Sequence, residues 1–496
     1  MRTFSMFIKI RVTNNMWELF QNIKSCYSSR SAEAKASIWY AVSNIINQGI
    51  SVLAVIVFTR LMPTSDYGQY SLYTSWYQII LIFATLNLWY YVFNKGMIKY
   101  KDDKESFIKS LQATSSAVTL LVAVVYFIFS PQINYLSTLP TIVFVAMFIQ
   151  MLFEPSYHYW VNKAVFENHY KTVVLATFLY SIIVQIVSLI IVIQSIQKGL
   201  SRILSFSFLS ALFYMFFFIK IGRTKARVKM EYCKYVLWFN LPLIPHFLSM
   251  ILLNQMDRIM IGRMCSNAQA GIYGVAYSVA TLSTVFSNAF QNSMTPWMCK
   301  KLDRNDTLGI QDTANFLVVI LSLICSIIIA LAPEMILIFA PEEYRQAMWI
   351  IPPVASSVVF IFVFNLCANI EYFYEENKFL PAASICSAII NAVTNYIFIK
   401  KYGFLAAGYT TLACYMLLAV FHFFVYIHVC KKHNVNTHIY SFRKIAIIVA
   451  AFLGNSVFLL FTYDYPVVRY SYLSIIILVI FINRRRITSM LKTLKQ

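Results

Sequence analysis

The sequence predicts an all-α polytopic membrane protein of about fourteen transmembrane helices, built as two like-oriented six-helix halves plus two C-terminal helices. Three observations carry that reading. Apolar residues make up 59% of the 496 and charged residues 12%, with a mean hydropathy of +0.65; a soluble chain carries about 25% charge. Apolar runs long enough to cross hydrocarbon, about 20 residues each, recur along almost the whole chain. A short motif after the first run returns after the seventh.

The spans read, in order, as 38–60, 71–94, 110–130, 139–160, 171–194, 201–221, 236–262, 272–298, 313–332, 348–372, 379–400, 404–428, 444–463 and 467–483. Residues 1–37 precede them. They hold Arg2, Lys9, Arg11, Lys24, Arg30 and Lys35 but no continuous apolar run, so they read as a basic cytoplasmic tail rather than a signal peptide. The expected organisation is the tail 1–37, a first six-helix half 38–221, a cytoplasmic linker 222–235, a second half 236–428, and two extra helices with a basic tail over 429–496.

Orientation follows from lysine and arginine. With both termini inside, 32 of the 41 basic residues fall on the cytoplasmic side and 9 outside. The net charge of +21 is then a product of topology, not of nucleic-acid binding. The loops assigned outside are short, so no soluble domain hangs from either face. The nine cysteines include no CxxC pair, and most lie in apolar runs (Cys325, Cys367, Cys386, Cys414). They read as small core residues, with no metal site.

The repeated motif is Arg60-Leu-Met-Pro-Thr-Ser-Asp-Tyr-Gly68-Gln-Tyr70 against Arg263-Met-Cys-Ser-Asn-Ala-Gln-Ala-Gly271-Ile-Tyr273, aligned without a gap at an offset of 203. Arginine, glycine and tyrosine match, and each stretch closes the first hairpin of its six-span block. Parallel repeats of this kind place a substrate between the halves. The glycines are expected to permit a tight turn.

Polar residues inside the spans cluster at helical spacing. Span 1 offers Asn44, Asn47, Gln48 and Ser51. Span 7 offers His246, Ser249, Asn254 and Asp257. Span 8 carries the stripe Thr284, Ser287, Asn288, Gln291, Asn292 and Thr295, and span 11 adds Asn391, Thr394 and Asn395. In lipid these groups would be unsatisfied, so they face protein or water. Asn47, Gln48, His246, Asn254, Asp257, Arg258, Asn288 and Gln291 are the candidate cavity and substrate residues. Two readings of Asp257-Arg258 stay open: an anchor at a helix end, where a cation suits the dipole, or a contact with cargo. Pro242 and Pro245 at the start of span 7 mark either a break in the helix or its first turn.

Leu241-Pro242-Leu243-Ile244-Pro245-His246, then Asp257-Arg258-Ile259-Met260-Ile261-Gly262, then Ala270-Gly271-Ile272-Tyr273-Gly274-Val275-Ala276-Tyr277 together resemble the polysaccharide transporter family. That family includes the Wzx-type O-antigen flippases of the MOP (multidrug/oligosaccharidyl-lipid/polysaccharide) exporter superfamily. Asp66 to Tyr70 looks like its first external turn, and Tyr402 to Gly408 like the turn between spans 11 and 12. The resemblance implies transport, not catalysis. It implies that undecaprenyl-diphosphate-linked oligosaccharide crosses the bacterial inner membrane through a cavity that alternates between faces. It implies no cofactor, and it leaves the coupling ion, proton or sodium, unidentified. The partners it implies are the lipid-linked cargo, the bilayer, and a polysaccharide polymerase and chain-length regulator. The rival readings are a MATE-like exporter, for which the first six spans offer only Glu154 as a carboxylate, and a membrane glycosyltransferase or polymerase, for which the outside loops are too short.

Overall fold

The computed structural model describes residues 32–484 and 489, apart from 168, 305, 377 and 378. The expected basic tail before residue 32 and most of the one after residue 484 lie outside the described residues.

All regular elements among them are helical. In chain order they are α1 (Ala32–Leu61), α2 (Thr64–Thr85), α3 (Tyr91–Lys99), α4 (Lys104–Ile128), α5 (Ser130–Ser137), α6 (Thr141–Phe166), α7 (Tyr170–Gln194) and α8 (Lys198–Gly222). There follow α9 (Met230–Asn240), α10 (Ile244–Met264), α11 (Asn267–Ala280), α12 (Leu282–Asp303), α13 (Ile310–Ala330), α14 (Ala332–Phe339), α15 (Ile351–Phe373), α16 (Phe379–Tyr402), α17 (Ala406–Lys432), α18 (Phe442–Phe461) and α19 (Pro466–Ile482). Among the described residues ten helical segments are long and apolar enough to cross a membrane, and up to eleven if α5 and α6, bent by 100°, count as one. The molecule is a multi-pass membrane protein. We call the end that carries the α1–α2 and α10–α11 junctions the turn face, and the end that carries the α8–α9 connection the linker face.

The glycines of the repeated motif do not make turns. α2 already begins at Thr64, so Asp66 to Tyr70 is helix; the reversal is confined to Met62 and Pro63. Gly68 and Gly271 lie inside α2 and α11 and let the two helices touch. A Cβ on Gly68 would stand 1.7 Å from the Asn267 carbonyl oxygen, and one on Gly271 would stand 2.6 Å from the Thr64 carbonyl oxygen and 2.9 Å from the Gly68 nitrogen. The turn between α16 and α17 does need its glycine, because Gly403 has φ of +80°.

Span 7 is broken. A 3-10 turn over Leu241–Leu243 separates α9 from α10, and Pro245 sits in the first turn of α10, where its missing N–H costs little. Span 8 is also interrupted, at Thr281, between α11 and α12. Cys386 is exposed rather than in the core; Cys325, Cys367, Cys414 and Cys430 are buried.

Packing falls into two bundles. In the first, α1 lies on α7, α4 on α6, α6 on α8, and α7 on α8; in the second, α10 lies on α16, α13 on α15, α15 on α17, and α16 on α17. The bundles meet where α2 packs along α10 and α11. At the linker face, Lys229 and Tyr232, around the start of α9, both donate to Asp103 of the first bundle, at 2.5 and 2.9 Å. The Lys229 ammonium, helped by Ser106, holds the Asp103 carboxyl down to about 2.

Candidate functional site: a cavity between the bundles

Below the Gly68–Gly271 contact, α1, α2, α7 and α8 face α10 and α11 across a cavity of about 420 Å³. Its wall is polar and aromatic, and it holds two arginines, one from each bundle: Arg202 and Arg258.

Arg202 lies in the second turn of α8 and is 2% exposed. Its Nη2 donates to Gln185 Oε1 on α7 at 2.7 Å. The guanidinium carbon stands 3.8 Å from the Phe58 ring centroid, 4.9 Å from Tyr70 and 5.5 Å from Phe206. Aromatic faces stabilise a cation that water does not reach. Two donors, Nε and Nη1, nevertheless find no partner in the protein. Arg258, on α10, donates from Nη1 to Gln255 Oε1 at 2.6 Å and lies over the Tyr277 ring at 4.4 Å; its Nε also finds none. Gln255 is held in turn by Gln78 and Ser75 of α2, at 3.0 and 3.1 Å. Buried polar groups are almost always paired. Guanidinium donors left free beside a cavity are suited to the oxygens of an anion, which accept charge-assisted bonds.

Asp257 lies elsewhere. Successive residues of an α-helix diverge by about 100°, so Asp257 turns away from Arg258 and into the second bundle, where it is fully buried. The two residues make no ion pair. Its carboxylate accepts from Tyr273 of α11 at 2.5 Å, Asn395 of α16 at 2.7 Å and Thr411 of α17 at 2.8 Å. Asn391 extends the cluster, accepting from Asn395 and donating to Thr411, both at 3.1 Å. Four helices meet at one carboxylate, and every partner is neutral.

The other residues singled out in the sequence divide between helix contacts and open faces. Asn254 accepts from Tyr277 at 2.9 Å and faces Tyr415 at 3.5 Å. Asn47 accepts from Ser181 of α7 at 2.9 Å. Gln291 donates to the Phe362 carbonyl at 3.4 Å and accepts from Asn369 at 3.3 Å, both on α15. Asn288 is exposed, while Gln48 and His246 are half-buried and do not line the cavity. Of the eight, only Arg258 does. Arg202, Gln185 and Gln78 were not anticipated. Arg202 reads from sequence as one more cation beside a short outer loop. Its signal is its setting, Arg202-Ile203-Leu204-Ser205-Phe206-Ser207-Phe208, where a charge heads an apolar run studded with serine.

Residues 34–302, more than half of the chain, match the family described as polysaccharide biosynthesis protein. The chain belongs to that family. Residues 242–397 also match the MatE family. A protein of Haemophilus influenzae, named Lsg locus putative protein 1, is 25% identical over 190 residues, which are 36% of this chain and 46% of that protein; the match therefore spans about half of the relative's length. Among solved structures, the lipid II flippase MurJ in an inward closed conformation superposes with a TM-score of 0.67 at 11% identity, over 91% of this chain and 100% of that one. An inward-facing multidrug resistance MATE transporter of the MOP superfamily superposes with a TM-score of 0.54 at 13% identity, over 77% and 95%. The chain thus has the fold of MOP-superfamily transporters.

Proposed function

We propose that this protein is a flippase that carries undecaprenyl-diphosphate-linked oligosaccharide repeat units from the inner to the outer leaflet of the bacterial inner membrane, for O-antigen or another surface polysaccharide. The observation that carries this reading is the cavity between the bundles, with one arginine from each, Arg202 buried and Arg258 half-buried, and guanidinium donors left unpaired. A diphosphate is costly to bring into a low-dielectric interior. Two cations held over aromatic rings offset that cost, and guanidinium donors suit phosphate oxygens.

The two bundles are, on this reading, duplicated halves, 38–221 and 236–428, joined by the linker 222–235 and followed by two added helices within 429–496. The repeated packing order supports it. So does the contact between Gly68 and Gly271: residues matched at an offset of 203 that touch each other sit where a two-fold axis between the halves would pass. Fourteen crossings with both termini cytoplasmic then make the turn face outer and the linker face inner, in line with the basic residues of 223–234. The Gly68–Gly271 contact closes the cavity toward the outer side, and transport alternates that closure with one at the inner side.

Asp257 is the residue we propose for a coupling ion, proton or sodium. The three direct hydrogen-bond donors around this carboxylate are all neutral, and either ion would supply a charge in direct contact with it. A polymerase and a chain-length regulator are the partners this role implies.

The test is surface display of the glycan at equal protein level. Arg202→Ala and Arg258→Ala are expected to lower display at least tenfold each, and Arg258→Lys less, because an ammonium keeps the charge but not the planar fork. Full display from both alanine variants would sink the cargo assignment. The MatE match and Glu154, buried against Tyr77 and His158 in the first bundle, favour one second reading, a small-molecule exporter. In that case Glu154→Gln would raise drug susceptibility and leave the glycan intact.

A further inference from the structure

The motif that suggests the duplication pairs Arg60 with Arg263, and the function proposed above uses neither. Both reach across between the bundles. Arg60, at the end of α1, donates from Nη2 to the carbonyls of Leu337 and Ile338 at 3.2 and 2.8 Å, and from Nη1 to Ile56 at 2.9 Å. Thr59 beside it donates to the Phe339 carbonyl at 2.7 Å. The Leu337, Ile338 and Phe339 carbonyls belong to the last turn of α14. Arg263, at the end of α10, holds its guanidinium 4.1 Å from the ring centroid of Tyr135, in the last turn of α5.

The two acceptor helices correspond. α5 and α14 are each eight residues long, each carries a proline at its second position (Pro131, Pro333), and they start 202 residues apart. Leu337 and Tyr135 are themselves 202 apart. Each arginine therefore runs from the end of one bundle's first long helix to the short helix of the other bundle, a two-fold arrangement about the Gly68–Gly271 contact.

We propose that Arg60 and Arg263 are a symmetry-related pair of latches that hold the outer mouth of the cavity shut, Arg60 being the stronger. The final carbonyls of a helix have no intrahelical partner and sit at the negative end of its dipole. A guanidinium that caps them makes charge-assisted bonds. Arg263 meets only a ring, and Tyr135 is 72% exposed, where a cation–π contact is weak. Arg60 is exposed as well, so water can take over both its donors and the α14 carbonyls when the mouth opens. That reversibility suits a gate. Arg469 and Glu334, which join α19 to the start of α14, form the opposite kind of contact: the arginine is 2% exposed and the pair is a fixed tie.

The proposal rests on alternating access and not on the identity of the cargo, so it is tested without cargo. The full chain would carry Cys265→Ser, which removes an exposed thiol near that face, and a reporter Ser278→Cys in the cavity wall. Intact cells are treated with a membrane-impermeant maleimide. Arg60→Ala is expected to speed labelling at least threefold, Arg263→Ala to do so less, the double variant most, and Arg60→Lys to fall between Arg60→Ala and the parent. Arg60→Gln is read in the same way where Arg60→Ala does not accumulate. Unchanged labelling in an Arg60 variant that accumulates normally overturns the proposal. Raised labelling with normal glycan display upholds the latch and counts against tight coupling of the gate to cargo.

Discussion

Asp257 and Arg258 are neighbours in the chain and strangers in the fold. Their adjacency reads as one charged motif with two open roles, anchor or cargo contact. The structure gives them different surroundings: Arg258 lies over Tyr277 at the cavity wall, and Asp257 is enclosed by Tyr273, Asn395 and Thr411. Helical geometry is the reason, since residue i and residue i+1 cannot share a face. Asp257→Ala would strand three buried donors, and each unmade bond of this kind costs about 1 kcal/mol or more. We expect a loss of about 3 kcal/mol in thermal unfolding of the purified protein. Asp257→Asn keeps the shape and is expected to retain most of the stability while abolishing glycan display. Equal collapse of folding in both variants would make the carboxylate purely structural.

At the scale of elements, the decisive feature is how closely α2 meets α11. Gly68 and Gly271 look like turn residues because each follows a break signal, Pro63 in one stretch and Ser266-Asn267 in the other. They act instead as contact residues inside helices, which is why small residues recur at membrane helix interfaces. Gly68→Ala places a methyl 1.7 Å from a backbone oxygen that belongs to another helix, so the helices must separate. Gly454, in α18, has nothing within 4 Å of an added Cβ. Gly454→Ala is expected to raise stability by about 0.5–1 kcal/mol through helix propensity, and Gly68→Ala to lower it by more than that. A thermal melt of the two variants side by side checks the contrast; a benign Gly68→Ala would mean that the contact is loose.

At the scale of the molecule, sidedness decides what the cavity does. The short α9 and the 223–229 connection lie at the linker face, tied by Lys229 and Tyr232 to Asp103. The proposed topology, read from the positive-inside distribution, puts that face in the cytoplasm. A single cysteine introduced at Lys225, in an otherwise cysteine-free chain, is expected to resist an impermeant maleimide in intact cells and to react after permeabilisation. Reaction in intact cells would invert the topology, and with it the assignment of the Arg60 and Arg263 contacts to the outer mouth.

The class of the molecule was legible in composition alone. Hydrocarbon admits only backbone that satisfies itself, so long apolar runs in a single chain become helices whatever their partners. The proposed duplication rests on the Arg60 and Arg263 motif, because repeated sequence reflects repeated local geometry. Of the eight candidate residues singled out in the sequence, only Arg258 lines the candidate cavity. Whether a polar side chain inside a span meets water, a neighbouring helix or a ligand depends on which helices surround it, and periodicity along one helix carries no such information. Asn47, Asn254 and Gln291 share their helical spacing with cavity residues yet are engaged by other helices. Arg202 reads as a loop cation until α1, α2 and α7 close aromatic rings and Gln185 around it. Tertiary packing decided which charges are buried, because burial is a property of the assembled bundle and not of any one segment.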